Sequence, residues 1–187
     1  MSELFSTKSM YKKMWCTIEK NYDSIEHISR CLSKLVDSAY NAKKKETGKH
    51  VLILEINVTN IASLMQKKNI IDEFCKNVMK QLFKYVKKFV SLSITQQILE
   101  ILFDEGGNHL FIILENDSNF EDLSTKSHRD ILSLSGTIPI MDKMVQIFMI
   151  MADNYINLYD ITGESILVHK GSGEVKLNIA IILLSFV

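Results

Sequence analysis

The sequence predicts a single α+β domain, in which helices pack a mixed, largely antiparallel sheet of four to six strands and a long helix forms the N-terminus. Two apolar runs of the buried-strand type lie mid-chain, and helical apolar periodicity precedes and separates them. Strand-turn-strand patterns near the C-terminus favour α+β over a doubly wound parallel sheet. The 187 residues fit one domain, which we place at residues 10–187 after a flexible start at residues 1–9.

The N-terminal helix is expected over residues 10–40. Apolar residues recur there at helical spacing and form a stripe along about eight turns. A helix of about 45 Å is longer than one small core needs, so we expect it to wrap the domain or to pair with a second subunit. The candidate interaction seam consists of Ile18, Ile25, Ile28, Leu32 and Leu35.

The middle of the chain predicts two buried strands and two helices. A basic loop over residues 41–49 leads into a strand over 50–58, whose apolar centre is typical of a strand covered on both faces. A helix over 70–90 has apolar residues on one face and lysines mainly on the other. A short helix is predicted over 93–103, and a second buried-type strand follows over 108–115.

The C-terminal third predicts a helix and a group of short strands. Residues 116–139 are acidic and are expected to be irregular, apart from about one helical turn. A methionine-rich helix is expected over 140–153. Residues 155–160 and 164–169 resemble the two arms of a hairpin, and a last strand is expected over 175–184.

The charge of the chain is balanced overall but unevenly placed. Residues 1–100 carry 17 Lys/Arg and 10 Asp/Glu, and residues 101–187 carry 5 and 12, so the halves have net charges of +7 and −7. Such asymmetry indicates a nucleic-acid-binding half, a self-complementary assembly surface, or simply two solvated faces. Twenty lysines against two arginines are typical of an AT-rich genome. Such genomes include those of many large DNA viruses, insect viruses, low-GC bacteria and some protists, so a viral source is one of several possibilities.

The expected compartment and the expected lack of a cofactor rest on sequence signals that the chain does not show. The N-terminus lacks the apolar core of a signal peptide, and no run approaches the ~18–20 apolar residues that span a bilayer. Three cysteines without Cys-x-x-Cys spacing argue against a disulfide framework and a zinc site. We therefore expect a cytoplasmic protein with reduced thiols, no membrane span, no metal and no cofactor.

The most specific candidate site is a lysine face that could follow a phosphate backbone. Arginine, the usual base reader, is nearly absent, so such binding would be non-specific. The alternative is a solvated face in a lysine-rich chain. The candidate nucleic-acid-binding residues are Lys43, Lys44, Lys45, Lys80, Lys84, Lys87 and Lys88.

An acidic strand end offers the candidate enzyme site. Glu115 and Asp117 follow a buried strand, and together with Glu55 they could hold Mg²⁺ for phosphoryl transfer; the alternative is a solvated acidic loop. No P-loop or nucleophile elbow is present. We therefore expect a non-enzymatic interaction or assembly protein that associates with itself or with a protein partner. The alternatives are a nucleic-acid-associated protein and a small phosphoryl-transfer or hydrolytic enzyme.

Overall fold

The computed structural model describes six stretches of the chain: residues 2–28, 36–57, 71–103, 109–129, 134–156 and 161–179. Its helices are α1 (Ser2–Asn21), α2 (Ile71–Leu92), α3 (Leu123–Arg129) and α4 (Leu134–Asp153), with a 3₁₀ turn at Gly163–Ser165. Its strands are β1 (Tyr22–His27), β2 (Val36–Lys44), β3 (His50–Asn57), β4 (Ile98–Phe103), β5 (His109–Glu115), β6 (Phe120–Asp122), β7 (Ile166–His169) and β8 (Val175–Leu177).

The α+β class is confirmed, with a five-stranded antiparallel sheet as the main element. The chain groups into two compact units. The first comprises Met1–Lys87 and Gln97–Asn116, and the second comprises Lys88–Gln96 and Asp117–Val187. The expected boundary between a flexible start and a domain at residue 10 stays a prediction.

The sheet of the first unit has the strand order β1-β2-β3-β5-β4, and every neighbouring pair is antiparallel. β3 and β5 form its centre, where Leu54 lies opposite Ile112. Side chains on both faces of these two strands are buried, as their near-continuous apolar sequence requires. The predicted strands over 50–58 and 108–115 are thereby confirmed.

α1 covers one face of this sheet. Met14 and Ile18 lie one turn apart on the helix and are buried against Ile53 and Phe111. Trp15 meets the Phe111 ring edge-on, at 5.4 Å between ring centroids. Full burial of an apolar side chain of this size stabilises the fold by roughly 1.5–3 kcal/mol, so this face of α1 fixes the helix on the sheet.

The prediction of a long helix over residues 10–40 is wrong, because α1 ends at Asn21, after about five and a half turns, and strands β1 and β2 follow it. The cause is a β-bulge. The register of β1 on β2 shifts between Asp23 and Glu26, so the more buried side chains of β1, Tyr22 and Ile25, lie three residues apart. That spacing is the same as on one face of a helix.

β2 extends the helix-like pattern for a second reason. Its buried residues are Val36, Ala39 and Ala42, again three apart. Strand neighbours alternate between faces, so the two alanines point to opposite sides of the sheet, and both sides are covered. Burial on both faces of a bulged strand therefore imitates the apolar stripe of a helix.

The short helix predicted over 93–103 is also wrong, because most of this segment is strand β4. The register of β4 on β5 shifts between Ile98 and Glu100. Leu99 and Leu102 both pack against the core beneath α1 although they lie three residues apart. As in β1, a bulge interrupts the alternation of side chains between the two faces of the strand.

The helix predicted over 70–90 is confirmed as α2. Phe83 stacks on Phe103 of β4, with 4.9 Å between ring centroids and 14° between ring planes. The helix belongs to the first unit as far as Lys87 and to the second from Lys88 onward.

The second unit contains a three-stranded antiparallel sheet in the order β6-β7-β8, and α4 packs against β8. The hairpin expected from residues 155–160 and 164–169 is wrong, because β7 pairs with β6 on one side and β8 on the other. Residues 157–160 lie outside the described stretches. The last strand predicted over 175–184 begins as β8, and residues 180–184 also lie outside the described stretches.

Residues 116–139, expected to be irregular, contain β6, α3 and the first turns of α4. α4 begins six residues before the predicted start, and Pro139 lies inside it. A proline there removes one backbone hydrogen bond of the helix. No helix in the described stretches is both long and apolar enough to cross a membrane.

Candidate functional site

The five residues of the predicted seam lie in several different elements. Ile18 is buried in the core beneath α1, and Ile25 is half-buried on β1. Ile28 follows β1 and is half-buried, while Leu32 and Leu35 lie outside the described stretches. The continuous helix that would carry the seam does not form, and a role for these residues in association stays a prediction.

The lysines at the end of β2 and in the β2–β3 connection are partly engaged within the first unit. Lys43 is exposed, and the Lys44 ammonium lies 3.8 Å from the Glu46 carboxylate. Lys45 donates to the backbone carbonyl of Glu19 at 2.6 Å. That bond satisfies a carbonyl in the last turn of α1, where a cation is favourable. Lys45 therefore has a structural role.

The lysines of α2 divide into two groups. Lys80, Lys84 and Lys87 are exposed, and Lys87 lies over the Phe83 ring, 4.3 Å from its centroid. Lys88 is half-buried and donates to the carbonyl of Asn154. Three lysines at i, i+4 and i+7 thus remain available to solvent, and the fourth is used inside the second unit.

The predicted acidic residues are separated by the strand register. Glu115 lies opposite Val51 on β3 and forms a 2.7 Å ion pair with Lys49. Glu55 is four residues farther along β3, about 13 Å at the usual rise per residue. These two carboxylates do not share a site. Asp117 belongs to the second unit, where its carboxylate accepts the backbone N–H of Asn119 at 2.9 Å.

Glu55 is instead the centre of a buried polar cluster beneath α1. Its side chain is 4 % exposed and lies on the central strand β3. Tyr40 donates its hydroxyl to Glu55 Oε2 at 3.3 Å. His109 Nδ1 lies 3.4 Å from Glu55 Oε1 without the geometry of a hydrogen bond, and the Tyr11 ring packs over His109 at 4.6 Å. The sequence gives no sign of this cluster, because its members come from four elements.

The buried carboxylate changes the titration of both tyrosines near it. Burial raises the pKa of Tyr11 and of Tyr40 above the ordinary value, and the negative charge of Glu55 raises each further. No group of three or more His, Cys, Asp or Glu side chains in the described stretches is arranged to hold a metal ion. The cluster therefore joins α1, β2, β3 and β5 through polar contacts within the core.

A cleft of about 520 Å³ opens in the first unit where α1 ends. The C-terminus of a helix carries partial negative charge, and basic and acidic side chains both line the cleft, so neither sign dominates. This mixture does not favour a phosphate group. The charged lining residues are Lys20, Lys44, Lys45, Glu46 and Glu100.

The second unit exposes a row of large apolar side chains on α4. They lie at positions i, i+3, i+7 and i+11, which fall along one stripe of a helix. Each is more than half exposed, and none is charged. The α4 stripe consists of Ile138, Met141, Val145 and Met149.

An apolar cleft of about 360 Å³ adjoins the stripe. Met141 belongs to both the cleft and the α4 stripe, so the two form one continuous surface. Gly163 forms part of the wall, and a Cβ atom there would approach the Cβ of Ser124 to 3.2 Å. The other lining residues are Leu123, Thr137, Ile140 and Met144.

The sequence contains a signal for this surface, because α4 has more apolar residues than one core-facing side requires. α4 buries Ile140, Ile147 and Met151, and these alone account for a core-facing side. The four apolar residues of the α4 stripe are additional to that set. A helix that is apolar all round is usually buried, so the exposure of the α4 stripe departs from the usual pattern. No family model matches the chain, and no curated protein is significantly similar to it.

Proposed function

We propose that the protein acts by protein–protein association, with a second copy of itself as its partner, and that the α4 stripe is the contact surface. The observation that carries this proposal is the exposure of four aligned apolar side chains on one helix. Contiguous apolar patches on soluble proteins typically mark interaction sites. Two of the four are methionines, whose flexible side chains adapt to a partner surface.

The charge of the chain supports a second copy as the partner. The net charge is zero at pH 7, so two copies do not repel each other at long range. α4 itself carries only Asp142, Lys143 and Asp153 as charged residues. The first two lie one turn before Gln146, whose side-chain amide contacts both of them. The α4 stripe can therefore pair with an identical stripe without burying an unpaired charge.

The test is the molar mass of the protein by light scattering on a sizing column, over a range of concentrations. We expect twice the 21.5 kDa of one chain for the wild type, and a shift to one chain for Val145→Glu. Gln146→Glu is the matched control, because it adds the same charge to the next residue, which is exposed but lies off the stripe. A wild type that stays monomeric at high micromolar concentration would contradict the proposal.

Nucleic-acid binding is the second candidate, and the exposure of Lys80, Lys84 and Lys87 favours it. Three phosphate contacts predict that the affinity for a DNA duplex falls roughly 40-fold between 50 and 200 mM salt. Fluorescence anisotropy with a labelled duplex measures this. Binding that does not respond to salt, or no binding at low salt, would exclude this role.

A further inference from the structure

We infer that Tyr155 of each copy inserts into the apolar cleft beside α4 of the other copy, in a symmetric, antiparallel pairing of two α4 helices. The inference rests on the proposed self-association and specifies its geometry. It gives the interface an anchor residue and a socket for that residue, both within the second unit.

Tyr155 is placed as an anchor residue would be. Its side chain is 88 % exposed, more than any other large apolar side chain in the described stretches. Tyrosine supplies a large contact area with few rotatable bonds, and such residues dominate the energetics of protein interfaces. Tyr155 lies two residues after the end of α4 at Asp153, beyond the C-terminal end of the α4 stripe.

The backbone at Tyr155 is held in a conformation that tyrosine rarely adopts. Its φ is +54°, in the left-handed region that glycine favours. Its N–H donates to the carbonyl of Ala152 at 3.0 Å, and the N–H of Ile156 donates to the carbonyl of Met151 at 2.9 Å. These two bonds and the left-handed residue define a Schellman motif, whose left-handed position is usually glycine. A tyrosine kept there despite the strain indicates a use for its side chain.

The cleft matches this anchor in size and character. Its volume of about 360 Å³ and its apolar lining suit one aromatic ring. The lining side chains on α4 belong to its N-terminal half, centred near Met141, whereas Tyr155 follows its C-terminal end. The two are separated by about 21 Å along the helix axis.

Opposite ends of one helix meet in an antiparallel pair. A two-fold axis brings the C-terminal end of each helix against the N-terminal half of the other, so both anchors reach a socket at once. Val145 and Met149 lie between the anchor and the socket of the same chain. The pairing that inserts the ring therefore also buries the α4 stripe, with the helix axes at the usual distance of about 8–10 Å.

Tyr155→Gly separates association from folding. Glycine relieves the left-handed strain, so we expect a melting temperature equal to or above that of the wild type, together with a dimer dissociation constant raised at least tenfold. Tyr155→Phe keeps the ring and should keep the dimer. If Val145→Glu dissociates the dimer but Tyr155→Gly does not, the proposed association stands and the anchor inference is overturned.

A cross-link gives a positive test of the same geometry. Cysteines introduced by Asp142→Cys and Asp153→Cys, at two exposed positions of α4, leave Tyr155 in place. Within one chain they lie about 16 Å apart along the helix, too far to pair, because a disulfide needs Cα atoms within about 7 Å. We expect a covalent dimer on a non-reducing gel for the double variant only. Each single variant is a control that also accounts for Cys16, which is a free, exposed thiol. No excess of dimer in the double variant would overturn the antiparallel pairing.

Discussion

Tyr22 donates its hydroxyl to the Glu100 carboxylate at 3.1 Å, although the two residues lie on the opposite edge strands of the five-stranded sheet. Four strand spacings would separate those edges by about 19 Å in a flat sheet, which the two side chains could not bridge. The sheet of the first unit must therefore curl around the C-terminal half of α1. Ile18 lies inside that curve.

Tyr22 makes the stability of the protein sensitive to alkali. Burial, together with the charge of Glu100 and the hydrogen bond to it, raises the pKa of Tyr22 from 10.0 to about 12. Between these values the folded chain keeps a proton that the unfolded chain loses, so the stabilisation is complete below pH 10 and is lost as the pH rises through 12. Urea unfolding near pH 9 and near pH 11 should show a larger loss for the wild type than for Tyr22→Phe. Equal losses would show that Tyr22 does not contribute.

Replacement of the buried carboxylate should change the tyrosines around it. Glu55→Gln removes the negative charge but nearly keeps the shape, so we expect the pKa values of Tyr11 and Tyr40 to fall toward the ordinary value, which an ultraviolet titration of the phenols measures. Glu55→Ala removes one hydrogen-bond partner of the Tyr40 hydroxyl, which also contacts Ser38, and we expect it to cost about 1 kcal/mol of the free energy of unfolding. The control is Glu46→Gln, on an exposed glutamate. A titration curve unchanged by Glu55→Gln would contradict the cluster.

Asp122 caps α3, and we expect it to make the stability of the second unit depend on pH in the acid range. Burial acts to raise its pKa, but hydrogen bonds from the Ser124 hydroxyl and from Thr125 outweigh burial and hold the pKa below the ordinary value. The stabilisation is present above the ordinary pKa of about 3.9 and is lost as the pH falls through the lower, folded value. Asp122→Ala should cost about 1 kcal/mol at neutral pH. Asp142→Ala, on an exposed carboxylate of α4, should cost little in the same denaturant series.

Two neighbouring lysines of α2 should differ in their effect on stability. Lys88 donates to the carbonyl of Asn154, so Lys88→Ala should lower the free energy of unfolding by about 1 kcal/mol or more. Lys84 is exposed one turn earlier, and Lys84→Ala should leave stability within about 0.5 kcal/mol of the wild type. If the two variants melted at the same temperature, the hydrogen bond from Lys88 to Asn154 would not contribute measurably to the stability of the fold.

The elements that could be predicted from sequence are those with an undisturbed local period. β3 and β5 are central strands and read as short continuous apolar runs, and α2 keeps one apolar face over its length. β1, β2 and β4 could not be predicted, because a bulge in each gives apolar residues three apart, at Tyr22 and Ile25 for example. A bulge is a property of the strand pair, so one strand read alone does not reveal it.

The candidate sites were harder to predict than the fold. The register of β3 on β5 separates Glu55 from Glu115, and the Schellman bonds around Tyr155 depend on where α4 ends. The exposure of Val145 likewise depends on which side of α4 meets the rest of the second unit. All three features depend on how the elements pack in three dimensions, and the composition of each segment alone does not reveal them.

The bulges have a protective consequence. Edge strands expose unpaired backbone groups that can recruit another chain into a growing sheet, and a straight, flat edge is the best template for such growth. Both edge strands of the five-stranded sheet carry a bulge, and the curl that joins Tyr22 to Glu100 turns the two edges toward each other. We therefore expect this sheet to be a poor seed for fibrils, even in a concentrated solution of the protein.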